Sequence, residues 1–577
     1  MRTRRTLHFG LMCNTKKLMA WQAECLRSLL QSGVAELELV ITPDAVAMSA
    51  MRRCARLTPD RGGLAFTIYE LLTFKAWHAS RLIDMTKQLK DVEHLSCRPI
   101  LKAKCSQHFS TEDVARVRSH DLDFILKFGF GVIHGEILKS ARYGVWSFHH
   151  NDETQHCGWP IAFWEIYHGD PLSGAMLERL TDNLDCRIIL HQGLFPTVGY
   201  SWNLNRDQVL LGATKWPQIV CQDILNGCAN YIVNEVPTIN APIHIRPTNW
   251  QTVRAFVKMG KSFVKHLQKL IVQEQWQVGI VRAPIHTFID RGPKTPVEWL
   301  PDLPRTRFFA DPFAIKRGAE IIILLEDFDH LRRKGRISFI RSTDGGRGFS
   351  SPVPITGSIF DQSTHKSYPY LFEHQGEIYC VPATEENNEI ALYRALQFPE
   401  HWERVCVLMD GIPAVDPTVF HHGGYWWMFY SMARDLEWNV NLYLSSAPEL
   451  EGPWSAHPAN PVKTDISSAR PGGTPFVHDG ILYRPAQDST HTYGGGLVIH
   501  RVDKLTQTQY KEHVVCRLTH DHRTRYCRGF HTLAAAGDLC VVDGKRFVAL
   551  PQVLPRMLRD KIRSAIRRRL VPRRQVG

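Results

Sequence analysis

The chain has no uninterrupted apolar stretch near the ~20 residues that a membrane-spanning helix needs. Its start, Met1 followed by Arg-Thr-Arg-Arg, also lacks the apolar segment of a signal peptide. We therefore expect a cytoplasmic protein, with association with the inner membrane as an open alternative.

Cysteine patterns of the kind that build a metal centre or a disulfide framework are also missing. The 14 cysteines are scattered, with no Cys-x-x-Cys pair and no Cys/His cluster at zinc spacing. Reduced thiols without a metal site are the prediction for such an arrangement.

The positive charge is uneven, and this bears on possible partners. The net charge is +13, and residues 551–577 hold nine basic side chains against one acid, Asp560. Their apolar residues fall near helical spacing, so the tail could rest as an amphipathic helix on an anionic membrane surface. A solvated, partly disordered C-terminus is the alternative. No pattern of interleaved aromatic and basic residues accompanies the charge, so we expect no nucleic-acid partner.

The length of 577 residues is too great for one core and predicts several domains. The pattern changes along the chain predict an α/β domain at 1–233, a proline-containing linker and helix at 234–274, an all-β domain at 275–550 and the basic tail at 551–577. The fold class is therefore α/β plus all-β.

The first part alternates short apolar runs with helical periodicity. Residues 7–13, 37–41, 122–128 and 144–148 are predicted strands, and 18–30 and 174–181 are predicted helical segments. Right-handed crossovers would place the strands in one mostly parallel sheet, with reactive groups at their carboxyl ends.

One run near the end of a predicted strand carries a recognisable motif. It contains Ser147, His149, Gly158 and Pro160 and ends with Asp185. It resembles the active-site segment of the folate-dependent formyltransferases, in which Asn-x-His is followed by a Gly-x-x-Pro loop and a Leu-Asp pair. The resemblance implies a Rossmann-like formyltransferase domain that uses formyltetrahydrofolate.

The same resemblance assigns roles to individual residues. His149 and Asp185 take the catalytic roles, and Ser147 stands where the family has asparagine. A serine hydroxyl donates one hydrogen bond from a shorter side chain, and Asn151 is the candidate that compensates for this. Gly158, Pro160 and Asp185 are the expected cofactor contacts.

The second part repeats one unit of about fifty residues, with repeats that begin near Ala310, Ser367, Asp416, Gly473 and Gly529. Each unit has a strand, a glycine-containing turn and a second strand. Five such units predict a five-bladed β-propeller. The count and the Asp-Pro pairs resemble glycoside hydrolase family 43. The run Tyr-Arg-Pro-Ala-Gln-Asp at 483–488 is similar to the propeller region of plant glucosamine inositolphosphorylceramide transferases.

Acidic residues recur at equivalent positions of these repeats. Asp311 and Asp416 begin inner strands, and Glu326, Glu385 and Asp488 end second strands. We predict that they surround a central funnel and bind a carbohydrate. The hydrolases have a general acid on the fourth blade, where this chain reads Gly473-Thr474.

Together, the two halves predict formyl transfer from formyltetrahydrofolate to an amino sugar or glycolipid held by the propeller, in the synthesis of surface polysaccharides or glycoconjugates. Two alternatives stay open. One is a catalytically silent carbohydrate-binding or scaffold protein, and the other is glycosyl transfer or hydrolysis by the propeller.

Overall fold

The computed structural model divides the chain into two compact units, residues 1–262 and 263–577. It describes residues 6–57, 63–73, 78–102, 106–150, 157–183, 186–237, 243–244, 246–290, 292, 295–355, 364–433, 438–519, 523–556 and 559. Among the helices of these residues, none combines the length and the apolar character that crossing a membrane requires.

The first unit is built on an eight-stranded sheet. In spatial order its strands are Val236–Pro237, Cys186–Pro196, Leu172–Arg179, Val145–His149, Phe124–Lys127, Leu7–Met12, Ala35–Pro43 and Glu93–Cys97. The last five run parallel and the first three antiparallel. The parallel sheet predicted for this half is therefore confirmed.

Helices and short strand pairs accompany this sheet. The α-helices are Ala20–Gln31, Ala45–Leu57, Leu64–Thr73, Thr111–Arg118, Trp164–His168, Trp202–Gly212, Trp216–Leu225 and Asn249–Gln268, and the 3-10 helices are Glu136–Lys139 and Asn230–Val233. The short strands are Lys17–Met19 with Leu82–Asp84, Ile100–Leu101 with Gln107–His108 and Ile133–His134, and Cys157–Gly158 with Ile243–His244.

One predicted helix of this unit is wrong. Residues 174–181 have helix-favouring alanine, methionine, leucine and glutamate, but the chain forms the strand Leu172–Arg179. This strand is buried and pairs with a neighbour on each side. Two strand ladders and burial outweigh helix propensities of a few tenths of a kcal/mol per residue.

The second unit is rich in β-structure and contains five sheets built from antiparallel neighbours. The first sheet has the strands Arg307–Arg317, Glu320–Asp329, Lys334–Ser342 and Val353–Pro354, and the second has Ser367–His374, Glu377–Ala383, Glu389–Gln397 and His401–Asp410. The third sheet has Ala414–His422, Tyr425–Met432, Asn441–Ala447 and Ser455–Ala456, and Lys463–Thr464 also pairs with its strand Asn441–Ala447. The fourth sheet has Phe476–His478, Ile481–Asp488, Gly496–Leu505 and Tyr510–Leu518. Short 3-10 helices are Ile285–Phe288, Glu385–Asn387 and Pro551–Val553.

The fifth sheet joins the two ends of this unit. Its strands are Leu533–Ala536, Leu539–Ala549, Val272–Val281 and Glu298–Trp299. Val272–Val281 pairs with Leu539–Ala549 from Val272 opposite Ala549 to Val281 opposite Cys540. This long ladder ties the beginning of the unit to its end.

The same backbone irregularity occurs at the start of the first three sheets. The strand register shifts just after Ala310, Ser367 and Val415. In each bulge a residue other than glycine has a positive φ, namely Asp311 (51°), Tyr368 (46°) and Asp416 (52°). This conformation costs roughly 1–2 kcal/mol per residue and re-aims a side chain out of the strand pattern. The three equivalent residues all belong to the site described below.

The parallel sheet of the first unit depends on an aromatic stack around Phe124. This side chain is fully buried and lies 5.1 Å from Phe9 and 3.9 Å from Trp146 between ring centroids. We predict that Phe124→Ala lowers the free energy of unfolding of this unit by ~3–5 kcal/mol, because it opens a cavity in the core. Urea denaturation measures the loss. Leu72→Ala is the control, since Leu72 is 79% exposed, and equal losses in the two variants would contradict the account.

Candidate functional site

Four acidic side chains meet in the second unit, and we call Asp311, Glu326, Glu385 and Asp416 the acid cluster. Asp311, Glu326 and Asp416 are buried, and Glu385 is partly buried. The four interact electrostatically, because Asp311, Glu385 and Asp416 each raise the pKa of Glu326 in addition to the larger effect of its burial. The fold thus brings together four of the five acids that the sequence predicts at the funnel.

Asp416 is neutralised by a buried arginine. Arg470 donates from Nε to Oδ2 at 2.6 Å and from Nη2 to Oδ1 at 3.1 Å. Gln487 adds a third hydrogen bond, from Nε2 to Oδ2 at 2.8 Å. The Arg470 guanidinium also lies 5.0 Å from the Tyr493 ring centroid. Bidentate pairing and added hydrogen bonds are what a buried charge needs.

A chain of hydrogen bonds connects Asp311 with all five sheets. Asp311 accepts the backbone N–H of Tyr368 at 3.2 Å and the hydroxyl of Thr532 at 3.1 Å. The Tyr368 hydroxyl is 3.0 Å from the Thr418 hydroxyl and accepts the backbone N–H of Gly473 at 3.0 Å. These residues lie in or just before the first strands of the five sheets. We call this chain the inter-sheet network.

A histidine and an aspartate adjoin the inter-sheet network. His531 Nδ1 lies 2.6 Å from Asp543 Oδ2, and the His531 ring stacks 3.8 Å from that of Trp276. Asp543 also accepts the backbone N–H groups of Asp311, His531 and Thr532. Burial would lower the pKa of His531, but the carboxylates of Asp543 and Asp311 outweigh it and raise this pKa.

Asp311, His531 and Asp543 also have the residue types of a metal site. Their ligand atoms all lie within 4.8 Å of one another, and all three residues are buried. The hydrogen bonds just described already occupy both carboxylate oxygens of Asp543. The protein groups therefore satisfy this cluster internally, and hydrogen bonding explains the arrangement.

Two acids of the cluster have a raised pKa because they are buried. It raises the pKa of Asp311 to about 6, with the neighbouring Asp416 and Asp543 adding to the effect, and that of Glu385 to about 7. Both values lie well above those of exposed carboxyl groups.

Two acceptors near Asp416 have no donor among the described residues. These are Glu385 Oε2 and Gln487 Oε1, which are both buried. The amide nitrogen of Gln487 donates to Asp416 and to the Pro471 carbonyl, and its amide oxygen accepts no hydrogen bond from the described residues. Buried acceptors without donors are costly and rare, and the usual reason for them is a bound ligand or water.

Two cavities lie in the second unit, lined by residues outside the acid cluster. One has a volume of about 290 Å³ and is lined with aromatic rings that include Trp276, Phe308, Phe328 and Tyr493. The other, of about 270 Å³, is lined by Arg307, Arg332, Lys334, Gly335 and Arg336, together with Asp327 and Asp329.

Gly335 connects the basic cavity with the acid cluster. A Cβ atom at this position would lie 2.2 Å from Glu326 Oε1, so the Glu326 carboxylate packs directly against the glycine. His365 Nδ1 accepts the Gly335 N–H at 2.9 Å, and His365 Nε2 lies 3.6 Å from Glu326.

The fifth predicted acid, Asp488, has a different environment. It pairs with Arg517 at 2.8 Å and caps the backbone N–H of Thr490. Gly473, at the fourth-blade position, admits no side chain, because a Cβ there would lie 1.9 Å from the Leu533 carbonyl oxygen. An acid at this position would not fit the structure.

The structure describes the predicted site of the first unit only in part. His149 Nε2 lies 2.8 Å from Glu178 Oε1, an acid that the sequence analysis did not name. Ser147 is buried two residues before His149, and Asn151 and Asp185 lie outside the described residues. Gly158 belongs to the short strand Cys157–Gly158, and Pro160 is buried. Most of the basic tail also falls outside the described residues.

Comparisons with known proteins match the second unit. Residues 302–532 match the family described as glucosamine inositolphosphorylceramide transferase 1, N-terminal. Proteins named glucosamine inositolphosphorylceramide transferase 1 from Oryza sativa subsp. indica and Arabidopsis thaliana are 36% and 32% identical over 211 and 213 residues. Each match covers 36% of this chain, but only 28% and 27% of the relatives. The predicted resemblance to these transferases is confirmed.

Solved structures give weaker likenesses. A family 117 glycoside hydrolase from Zobellia galactanivorans is 13% identical, with a TM-score of 0.30, over 47% of this chain and 90% of the hydrolase. Glycinamide ribonucleotide transformylase 1 from Symbiobacterium toebii is 14% identical, with a TM-score of 0.27, over 38% of this chain and 89% of the transformylase. Scores this low support no argument about function.

The prediction of formyl transfer from formyltetrahydrofolate is wrong. The relatives are named as glucosamine inositolphosphorylceramide transferases, and that name describes glycosyl transfer. The family match names the same activity. The folate and formyltransferase assignments conflict with these names. The broader expectation of a transferase agrees with them.

Glu385 should make the stability of the protein depend on pH. Between about pH 4.5 and 7 the folded chain keeps a proton on Glu385 that the unfolded chain releases, so the free energy of unfolding falls as the pH rises through this window. We predict that Glu385→Gln removes ~1–3 kcal/mol of this fall between pH 5 and pH 8. Urea denaturation at the two pH values gives the difference. Identical pH dependence in both proteins would refute the raised pKa.

Proposed function

We propose that the protein is a transferase of glycoconjugate synthesis, and that its second unit is a five-bladed propeller that binds the carbohydrate part of the substrate. Five consecutive sheets, a fifth sheet built from both ends of the unit, and a hydrogen-bond network through all five first strands support the propeller. The acid cluster would then lie at its axis.

The observation that carries the binding role is the pair of unused acceptors. Glu385 Oε2 and Gln487 Oε1 are buried and lack donors among the described residues, and both belong to the surroundings of Asp416. Sugar and inositol hydroxyls are donors that can reach into such a site. A polyol that donates to both oxygens would satisfy groups that the fold leaves open.

The aromatic cavity supports the same ligand class. Its walls include Trp276 and Tyr493, which also border the network through His531 and Arg470. The faces of aromatic rings pack against the C–H faces of sugar rings, while the hydroxyls keep their hydrogen bonds to polar groups. The aromatic walls of this cavity therefore suit a saccharide.

The basic cavity extends the proposal to a phosphorylated substrate. Four basic side chains line it, against two acids. Asp327 holds Arg307 and Arg336, while Arg332 pairs only loosely with Asp329, at 3.7 Å. The relatives carry the word inositolphosphoryl in their name, and a phosphoryl group needs such cations. We propose that the substrate is a glycolipid whose polyol lies at the acid cluster and whose phosphate lies beside Arg332 and Lys334.

The site supports binding more than cleavage of a glycosidic bond. Both oxygens of Asp416 are bound by Arg470, and Asp311 is held by Tyr368 and Thr532. Hydrolysis by two carboxyl groups needs a free carboxylate as the base beside an acid, and Asp311 and Asp416 are both engaged. Gly473 leaves no room for the acid of the fourth blade, so we assign to this unit the role of holding the substrate.

Glu385→Ala tests the binding role. We predict that it weakens the binding of inositolphosphorylceramide in lipid nanodiscs about 10-fold or more, because a buried hydroxyl of the ligand loses its acceptor. Isothermal titration calorimetry measures the affinity.

Asp488→Ala is the matched control, since its repeat position is equivalent but its partner is Arg517. It should leave the affinity unchanged. Equal weakening in both variants would refute the site, and the absence of binding to the wild-type protein would overturn the proposed function.

A further inference from the structure

A third cavity lies in the first unit, outside the region that matches the transferase family. Its volume is about 240 Å³. The residues that line it come from four neighbouring strands of the eight-stranded sheet and from the loops at their ends. Such an edge of a parallel sheet is where ligands bind in open α/β folds.

Three polar side chains form a row across this sheet. Ser147 is directly opposite Lys127 on one neighbouring strand and directly opposite Glu178 on the other. Directly opposed residues have their side chains on the same face of a sheet. His149, two residues after Ser147, shares that face and bonds with Glu178. All four residues line the cavity.

Lys127 is the cation of this row. No hydrogen bond or ion pair joins its ammonium group to another of the described residues, and the side chain is partly buried. Glu178, the acid beside it, is engaged by His149 at 2.8 Å. A partly buried ammonium group that lacks a counter-ion is costly unless a ligand supplies the charge.

The rest of the lining adds positive charge. Arg179 and Arg187 also line the cavity, and Glu178 is the one acid among its lining residues that the structure describes. Arg179 directs Nη1 to the carbonyl of Ile232, and Arg187 directs Nη1 to the sulfur of Met176. The described lining therefore holds three cations and one acid, and that acid is bound to histidine. Such a charge balance favours an anion.

The protonation of Lys127 agrees with this geometry. Burial lowers the pKa of Lys127 to about 8, and Glu178 opposes the shift only in part. A bound anion would raise the pKa again, because it stabilises the ammonium form.

We propose that this cavity binds a small organic anion, a phosphate or a carboxylate, with the Lys127 ammonium as its principal partner. His149, fixed by Glu178, faces the same cavity and hydrogen-bonds to a hydroxyl or amino group elsewhere on the ligand. The site does not depend on the carbohydrate-binding role of the second unit.

A pair of aldehydes that differ only in a phosphate tests the proposal on the full chain. Pyridoxal 5′-phosphate and pyridoxal both condense with a neutral lysine amine to give an imine and water. Borohydride then delivers hydride to the imine carbon and leaves a stable secondary amine, which peptide mass spectrometry locates. We expect the phosphate form to label Lys127 at least about 10-fold more slowly than pyridoxal does, because its phosphate pairs with the Lys127 ammonium group and keeps the amine protonated. Inorganic phosphate and acetate, added separately, distinguish the two anion classes by which one protects Lys127.

Lys139 is the control within the same molecule, because its side chain is 69% exposed. It should react with both aldehydes at similar rates and show no protection. In Lys127→Met the labelled peptide should vanish while the labelling of Lys139 stays unchanged. Labelling of Lys127 by the phosphate form as fast as by pyridoxal or faster, or an absence of protection by either anion, would overturn the proposal. The wild-type comparison decides this even if the variant does not fold.

Discussion

The ion pair between Asp416 and Arg470 holds the polar centre of the second unit together. Both side chains are buried, and the pair has two direct hydrogen bonds and a third from Gln487. Breaking a buried pair by removing one partner costs ~3–5 kcal/mol, because the other charge stays behind without compensation. Asp416 reaches Arg470 from a backbone conformation that few residues other than glycine adopt. The bulge and the ion pair therefore stabilise each other.

The rest of the centre follows from this pair. With Asp416 neutralised, the fold can place Asp311, Glu326 and Glu385 nearby, where burial raises the pKa of each. Asp311 accepts hydrogen bonds from a backbone N–H and a hydroxyl, and Asp416 accepts them from Arg470 and Gln487. Glu385 Oε2 and Gln487 Oε1 lack donors among the described residues, and the proposed binding role rests on these two oxygens.

Much of this arrangement follows from the repeat in the sequence. The repeat places Asp311 and Asp416 at equivalent positions, and it also places Tyr368 there, in the run Ser-Tyr-Pro-Tyr. An alignment of the repeats could therefore have found Tyr368. Asp488 shows the limit of this reasoning. Its repeat position matches that of Glu326, but it pairs with Arg517, which lies two strands away in the same sheet.

The remaining site residues depend on contacts between distant segments. Arg470 is 54 residues from Asp416, and Asp543 is 232 residues from Asp311. No local sequence pattern therefore predicts that Arg470 or Asp543 belongs to the site. In the first unit, Glu178 was missed because the composition of its segment favours a helix, whereas the segment forms a strand. His149 was predicted because it follows a buried strand at the carboxyl edge of the sheet. Lys127 ends another buried strand, so the same criterion applied to every strand would have identified it.

The central claim is that the acid cluster binds the polyol of a phosphorylated glycolipid. A crystal structure of the protein with the water-soluble head group, glucosaminyl-inositol phosphate, tests it most directly. We predict ligand hydroxyls within hydrogen-bond distance of Glu385 Oε2 and Gln487 Oε1, and the phosphate beside Arg332 and Lys334. A head group bound elsewhere, or a cluster without ligand at saturating concentration, would contradict the claim.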